Sequence, residues 1–378
     1  MEFQTMKKPP FCPNRGCPNH QINTDDNSKP WYYNCGYYSN KSKHGIKRFR
    51  CKTCNKRFSS QTFSFDYALK KKGLFRQIFL KLKACSGIRD MARDLKMAPS
   101  SISLRITRLA RQSTAFHAEM KSHIRLDEDL VADGFESFVV SQYFPNNFNI
   151  LVGKESQFLY TIDYSQLRRK GRMTEKQKKR NRILQAQVLY RRSVTVSFKD
   201  LCHFISYRMW SSRRQVNILY TDKKNEYIQV LKVFVFPETL KHIAVSSRLI
   251  RTVDNELFAV NYMDRQFRMC LAEHVRETVR FARNVNNSME RMAVYGLYHN
   301  YMKPYRINRA DDSFRDRTHA EVAGLSRELV QKKLRTFFTK RLFLSRCGGI
   351  DSQDLMLWNR CYATPLNHTY QEVPAYAA

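Results

Sequence analysis

The stretch Leu130–Ser165, LVADGFESFVVSQYFPNNFNILVGKESQFLYTIDYS, constrains the fold more than any other. It predicts three short strands. Leu130–Val140 is apolar and aromatic and is broken by the turn Tyr143–Asn147. Asn149–Val152 and Gln157–Ile162 follow, rich in Ile, Val, Phe, Tyr and Thr, with Gly153 and Ser156 between them. Asp133 sits inside the first strand, where a carboxylate is costly unless it is paired or holds a metal. A second apolar strand, Val216–Tyr220, ends at Asp222. Two strand-borne carboxylates far apart in sequence can meet on neighbouring strands and together hold a divalent cation.

Two thiol pairs stand near the N-terminus, Cys12-x4-Cys17 and Cys51-x2-Cys54. Paired thiolates at this spacing form knuckles, and two knuckles complete a tetrahedral structural zinc site. The residues between include Trp31, Tyr32, Tyr33, Tyr37 and Tyr38, the make-up of a small β-module that needs metal to fold. His20, Cys35 and His44 are substitutes if the wide first knuckle is misassigned. The remaining cysteines are scattered, which suggests reduced thiols in an intracellular protein.

Residues 65–115 read as three helices. Leu74, Ile78, Phe79 and Leu82 keep helical spacing, as do Ile88, Met91, Ala92 and Leu95. Pro99 suits the first turn of the third, whose inner face is Ile102, Ile106, Leu109 and Ala110. Small Ala92 allows the close crossing of a helix-turn-helix. Ser100, Ser101, Ser103 and Arg105 then face the major groove, with Arg108 and Arg111 on phosphate; an ordinary three-helix bundle is the competing reading.

The formal net charge is +34 and is spread along the chain, so a polyanion is the simplest partner. No stretch approaches the ~20 apolar residues of a membrane span. MEFQTMKKPP has no apolar signal core, so a cytoplasmic, nucleoid-associated protein is expected. Leu167–Arg182 is dense in Lys and Arg and reads as a solvated loop or, through Arg168, Arg169 and Lys170, as a phosphate-gripping one. Residues 116–128 read as a linker, Leu201–Met209 and the stretch around Tyr227–Val233 as helices, and Phe234–Pro237 and His242–Val245 as extended. Met269–His299 reads as one long helix, with Val275, Val279, Ala282, Val285, Met289, Met292 and Ala293 as its buried stripe. Arg283, Asn286, Asn287 and Glu290 share an adjacent face. Thr318–Arg346 is basic with helical periodicity, and the last fifteen residues look disordered.

The order of thiol pairs, helix-turn-helix, strand Asp, strand Asp and helix Glu resembles a prokaryotic insertion-sequence transposase of the DDE type. The residues that carry the likeness are the four cysteines with GIKRFRCKTCNKRFS, the helix-turn-helix, ADGFESF, ILYTD and NNSMER, within about 11–307. The resemblance implies a multidomain α+β chain. Its parts are a zinc ribbon (1–64), a helix-turn-helix (65–118), an RNase H-like mixed α/β catalytic core (119–307, with a basic insertion near 165–200) and a basic, helical C-terminal region (308–378). It implies that Asp133, Asp222 and Glu290 bind two Mg2+ or Mn2+ ions. Those ions serve hydrolysis and strand transfer on double-stranded DNA, at element ends and target, in a homo-oligomer. Asp127, Glu128 and Asp129 compete with Asp133, whereas Glu136 falls on the other face of the strand and points away, and Glu273 and Glu277 compete with Glu290. Glu290 is preferred for its adjacent asparagines and Arg291.

No P-loop and no G-x-S-x-G is present, in keeping with chemistry that uses neither ATP nor a side-chain nucleophile. Two other classes remain open: a non-catalytic DNA-binding regulator, and a metal-dependent nuclease without strand transfer.

Overall fold

The computed structural model describes residues 6–22, 30–40, 43–210, 212–234, 239–246, 248–276, 278–305 and 316–365. Among these are two sheets and eleven α-helices. None of the helices is long and apolar enough to cross a membrane.

The first sheet is small. β1 (Tyr32–Asn40) pairs antiparallel with β2 (Lys43–Cys51), and β2 pairs antiparallel with β3 (Arg57–Ser59). Strand alternation turns Phe49 and Cys51 of β2 and Phe58 of β3 inward. They meet Phe63, Cys12 and Cys17, and the cluster is closed by Phe343 from far along the chain. Phe11 packs edge-on against both Phe63 and Phe343 at 5.1 Å.

Three helices follow: α1 (Phe75–Lys83), α2 (Ile88–Asp94) and α3 (Pro99–Lys121). The expected apolar stripes are buried: Ile78, Phe79 and Leu82 in α1, Met91 and Ala92 in α2, and Ile102, Ile106, Leu109 and Ala110 in α3. α3 does not stop where a linker was expected at 116. Phe116 and Met120 continue its stripe, both are buried, and no Gly or Pro interrupts it.

The second sheet has strand order β6-β5-β4-β7-β8. β4 (Leu130–Phe138), β5 (Pro145–Gly153) and β6 (Leu159–Gln166) form the antiparallel meander; β4 stops two residues short of the expected Val140, while β5 and β6 are longer than expected and β5 begins inside the expected turn. β7 (Asn217–Asp222) and β8 (Leu240–Val245) are joined through α6 (Asn225–Val233) and run parallel to β4. α5 (Val194–Met209) covers one face, where the Asn149 amide donates to Ser197 Oγ at 2.8 Å. α7 (Phe258–Cys270) covers the other, with Phe267 at 5.8 Å from Phe135. The stretch after Arg172 is not a loop throughout. Thr174 caps α4 (Glu175–Ala186), none of whose residues is buried.

The expected helix over Met269–His299 is two helices with a turn-rich connection. α7 ends at Cys270 and α8 spans Val285–Tyr301. Val279, placed on the buried stripe, is 90% exposed, and Val275 is also exposed. The Asn284 side chain accepts from the Asn287 N–H at 3.2 Å and so starts α8. An Asn inside a helical pattern is therefore a cap here.

α8 packs along α3, and the C-terminal part closes over both with α9 (His319–Val322), α10 (Arg327–Leu334) and α11 (Ser352–Trp358). Buried Lys121 of α3 pairs with Asp351 and with Asp354. Among the described residues one continuous buried cluster runs from Phe65 to Tyr362 and crosses the expected boundaries at 118 and 307. The final residues expected to be disordered lie almost wholly outside the described ones.

Candidate metal centres

The thiol site is built by two tight turns. The Cys17 N–H donates to the Asn14 carbonyl at 3.1 Å and the Asn55 N–H to the Cys51 carbonyl at 3.1 Å, with Asn55 at φ +56°. These turns bring the Sγ atoms of Cys12, Cys17, Cys51 and Cys54 within 4.8 Å of one another. Cys12 lies 3.5 Å from Cys54 and Cys17 3.7 Å from Cys51. Burial pushes the Cys12 and Cys17 thiols up. Burial also opposes ionisation of Cys51, but the N–H groups of Cys54 and Thr53 and the Asn19 amide outweigh it and bring Cys51 down to about 6. Four such ligand atoms could hold zinc.

The proposed substitutes are engaged elsewhere. The His20 ring bonds the Cys12 carbonyl at 2.7 Å and Ser345 Oγ at 2.8 Å. Cys35 points to the Tyr33 carbonyl. The His44 side chain lies outside the described residues.

The second centre lies on the larger sheet. Ala132 pairs with Thr221 across parallel strands, which puts Asp133 and Asp222 side by side at the next step. Burial and then the Asp222 charge push Asp133 up to about 7. Burial raises Asp222 too, with Lys224 opposing and Glu226 and Glu136 adding to the rise. A third carboxyl comes from α7. Asp264 is pushed up to about 8 by burial and by Asp133, against Arg268 and Arg251, and its Oδ1 is buried without a hydrogen-bond partner. Among the described residues the thiols alone bring three or more metal-ligating atoms within 4.8 Å of one another, so the carboxylates stand further apart. A buried carboxylate oxygen without a hydrogen-bond partner, within reach of the Asp133 charge, suits a site that takes up a cation.

Glu290 does not join them. Its carboxylate pairs with Arg360 and accepts from Thr107 Oγ1 at 2.9 Å, buried between α3, α8 and the C-terminal segment. The rest of its polar face does the same work. The Asn286 amide donates to the Tyr362 carbonyl at 2.9 Å, and Arg360 donates to Asn287 Oδ1 at 2.9 Å. The face that resembles a third-acid helix is a docking strip for residues 360–362.

The other acids also have partners. Glu128 is buried with Ser156 and Tyr160, Asp127 accepts from the Arg213 N–H, Asp129 pairs with Arg214, and Glu273 pairs with Arg291. Glu136 is exposed on its strand. Glu277 lies outside the described residues. Sequence reasoning missed Asp264. Its signal was the spacing of Val260, Met263 and Phe267, all buried, with Asp264 beside that stripe.

The expected DNA-reading face of α3 divides. Ser100 is exposed, and Ser101 and Ser103 are half-buried. Arg105, Arg108 and Arg111 are buried and do not face a groove. Arg105 donates to the Lys71 carbonyl at 2.6 Å, Arg108 to the Tyr67 carbonyl, and Arg111 to the Trp358 carbonyl at 3.0 Å. α3 is enclosed on that side by the stretch before α1, at Tyr67 and Lys71, and by Trp358 of the C-terminal part, so its arginines tie segments together. Arg168 lies over the Tyr190 ring and Arg169 over the Tyr143 ring, while Lys170 is exposed.

No protein-family model matches the chain, and no curated protein matches it.

Proposed function

We propose that this chain is a DNA transposase of the DDE type, with an RNase H-like core and a zinc ribbon. The observation that carries the reading is the adjacency of Asp133 and Asp222 on parallel β4 and β7. They lie at the centre of a sheet ordered β6-β5-β4-β7-β8, with three antiparallel strands on one side and parallel strands on the other. A mixed sheet with helices on both faces suits an RNase H-like core. The third acid in this proposal is Asp264, in place of Glu290.

Asp133, Asp222 and Asp264 would hold two Mg2+ or Mn2+ ions. The chemistry such ions would supply there is activation of a water or 3′-hydroxyl and stabilisation of the leaving oxygen of a phosphodiester. The chain's own contribution is placement. The Gly134 N–H donates to Asp133 Oδ1 at 2.6 Å and the Lys224 N–H to Asp222 Oδ1 at 3.1 Å, which fixes both carboxylates. Lys224 and Arg251 supply positive charge beside them. The thiol site would hold zinc and fix the ribbon.

The test uses the full chain, Mg2+ or Mn2+, and DNA carrying the two flanks of its reading frame. Cleavage and joining are expected, and Asp133→Asn, Asp222→Asn and Asp264→Asn should each lower both by several orders of magnitude. Exposed Glu175→Gln should behave as wild type. Normal cleavage by all three aspartate variants would refute the site, and binding without cleavage by the wild type would favour a DNA-binding regulator. Cleavage without joining would leave a metal nuclease.

A further inference from the structure

The outer face of the small sheet is unlike its inner one. Phe49 and Phe58 turn inward, so Arg48 and Arg50 of β2 and Arg57 of β3 turn outward. In the antiparallel register Arg50 stands directly opposite Arg57, and Arg48 opposite Ser59. Like charges facing each other across two strands are destabilising. Among the described residues no carboxylate pairs with Arg48, Arg50 or Arg57. An anion lying between the strands would turn this repulsion into attraction.

β1 adds rings to the cations. Tyr33 lies opposite Arg50, whose guanidinium is 5.1 Å from the ring centre, and Arg48 lies 5.7 Å from Tyr38. Tyr33 is nevertheless 49% exposed, so its ring retains open surface. Beside this face runs an open groove of about 960 Å³, whose far wall includes Tyr67 and Arg341. No Asp or Glu lines it. Burial first, then Arg108, Arg111 and Arg15 against Tyr67, pull Arg341 down to about 10.

We propose that this groove binds the phosphodiester backbone of DNA, with Arg48, Arg50, Arg57 and Arg341 on phosphates, Tyr38 of its wall against sugars or bases, and Tyr33, outside the wall but against Arg50, extending the contact. Arg48 and Arg50 are two residues apart on one strand, about 6.7 Å, a spacing suited to successive phosphates. Open rings interleaved with cations favour nucleic acid over an acidic protein surface. The ribbon is then a DNA grip, and the arginines that α3 keeps inside are replaced by these. The inference rests on the proposed function only in taking DNA as the partner; no step of catalysis enters it.

The experiment titrates the full chain, zinc-loaded, with a 40-nucleotide single strand and with the same sequence as duplex, over a series of salt concentrations. Arg50→Gln/Arg57→Gln should lower the salt slope by about two and the affinity by roughly 50-fold at 0.1 M salt. Lys332→Gln/Arg335→Gln, with the same loss of charge on exposed α10, should stay close to wild type. Tyr33→Ala should weaken single-strand binding alone if unpaired bases stack there, and neither form if the groove takes duplex. Zinc content reports an intact ribbon. If the double variant loses its zinc, Arg48→Gln, which stands opposite Ser59, carries the test with half the slope change. Equal slopes in wild type and the ribbon variants, or an equal loss in the α10 variant, would overturn the groove. The titration is run without Mg2+ or Mn2+, so it reads the groove apart from the proposed nuclease. A wild-type chain that binds neither DNA would overturn both.

Discussion

If Asp133 and Asp264 are cation ligands, the protein without divalent ions should lose stability as pH rises, and Asp133→Asn should remove a defined part of that loss. Asp133 stands at about 7 in the fold against an ordinary 3.8. A carboxyl raised by folding holds its proton longer in the folded chain than in the unfolded one. Stability is therefore full below pH 4, falls as the unfolded chain ionises, and levels off once the folded group has ionised too. At 1.36 kcal/mol per pH unit, the window from pH 5 to 7.5 costs about 2.5 kcal/mol for Asp133 alone. Asp264, at about 8, adds a comparable amount, less the repulsion the two groups share. Other buried groups titrate as well. His117 and His274 are pulled down to about 3 and about 4 by burial and act with the opposite sign, and Asp354 is pushed up to about 7. The difference between wild type and variant cancels them. Urea unfolding at pH 5 to 7.5 measures it, in resin-treated buffer without a chelator that would strip the thiol site. Asp133→Asn should flatten the pH dependence by about 2.5 kcal/mol. Mn2+ at 100 times its dissociation constant should add about 2.7 kcal/mol to wild type at pH 7.5 and little to the variant. The same pH dependence in both proteins, or equal stabilisation by Mn2+, would refute the argument.

Two further outcomes follow from the geometry. Elemental analysis of the purified chain should find about one zinc per molecule, and Cys51→Ser or Cys54→Ser should release it and expose the cluster around Phe49 and Phe343, read as new protease cleavage within 6–64. Glu290→Gln leaves Arg360 buried without its counter-charge, so unfolding should be easier by about 3 kcal/mol while Mn2+ affinity is unchanged; a selective loss of Mn2+ binding would restore Glu290 to the site.

The sequence determined the local elements and the residues that must find each other. The cysteine spacing announced a four-thiol cluster because each turn is made by residues adjacent in the chain. The apolar stripes of α1 to α3 and the alternation of β4 to β6 were legible because periodicity is a local property. Asp133 stood out for the same reason, as an acid inside an apolar strand. The partners of the remaining acids were not legible. Glu290 and Asp264 both lie beside buried stripes, and nothing local says which helix turns its acid toward the sheet. That was decided by the closing C-terminal segment, whose Arg360 and Tyr362 occupy the face of α8 where a third acid was expected. The arginines of α3 shared this fate, since an arginine on a helix reads as exposed until a distant strand of chain supplies carbonyls to receive it. Buried charge is tolerated only with a partner, and partners 41 to 247 residues away in sequence are chosen by the tertiary fold.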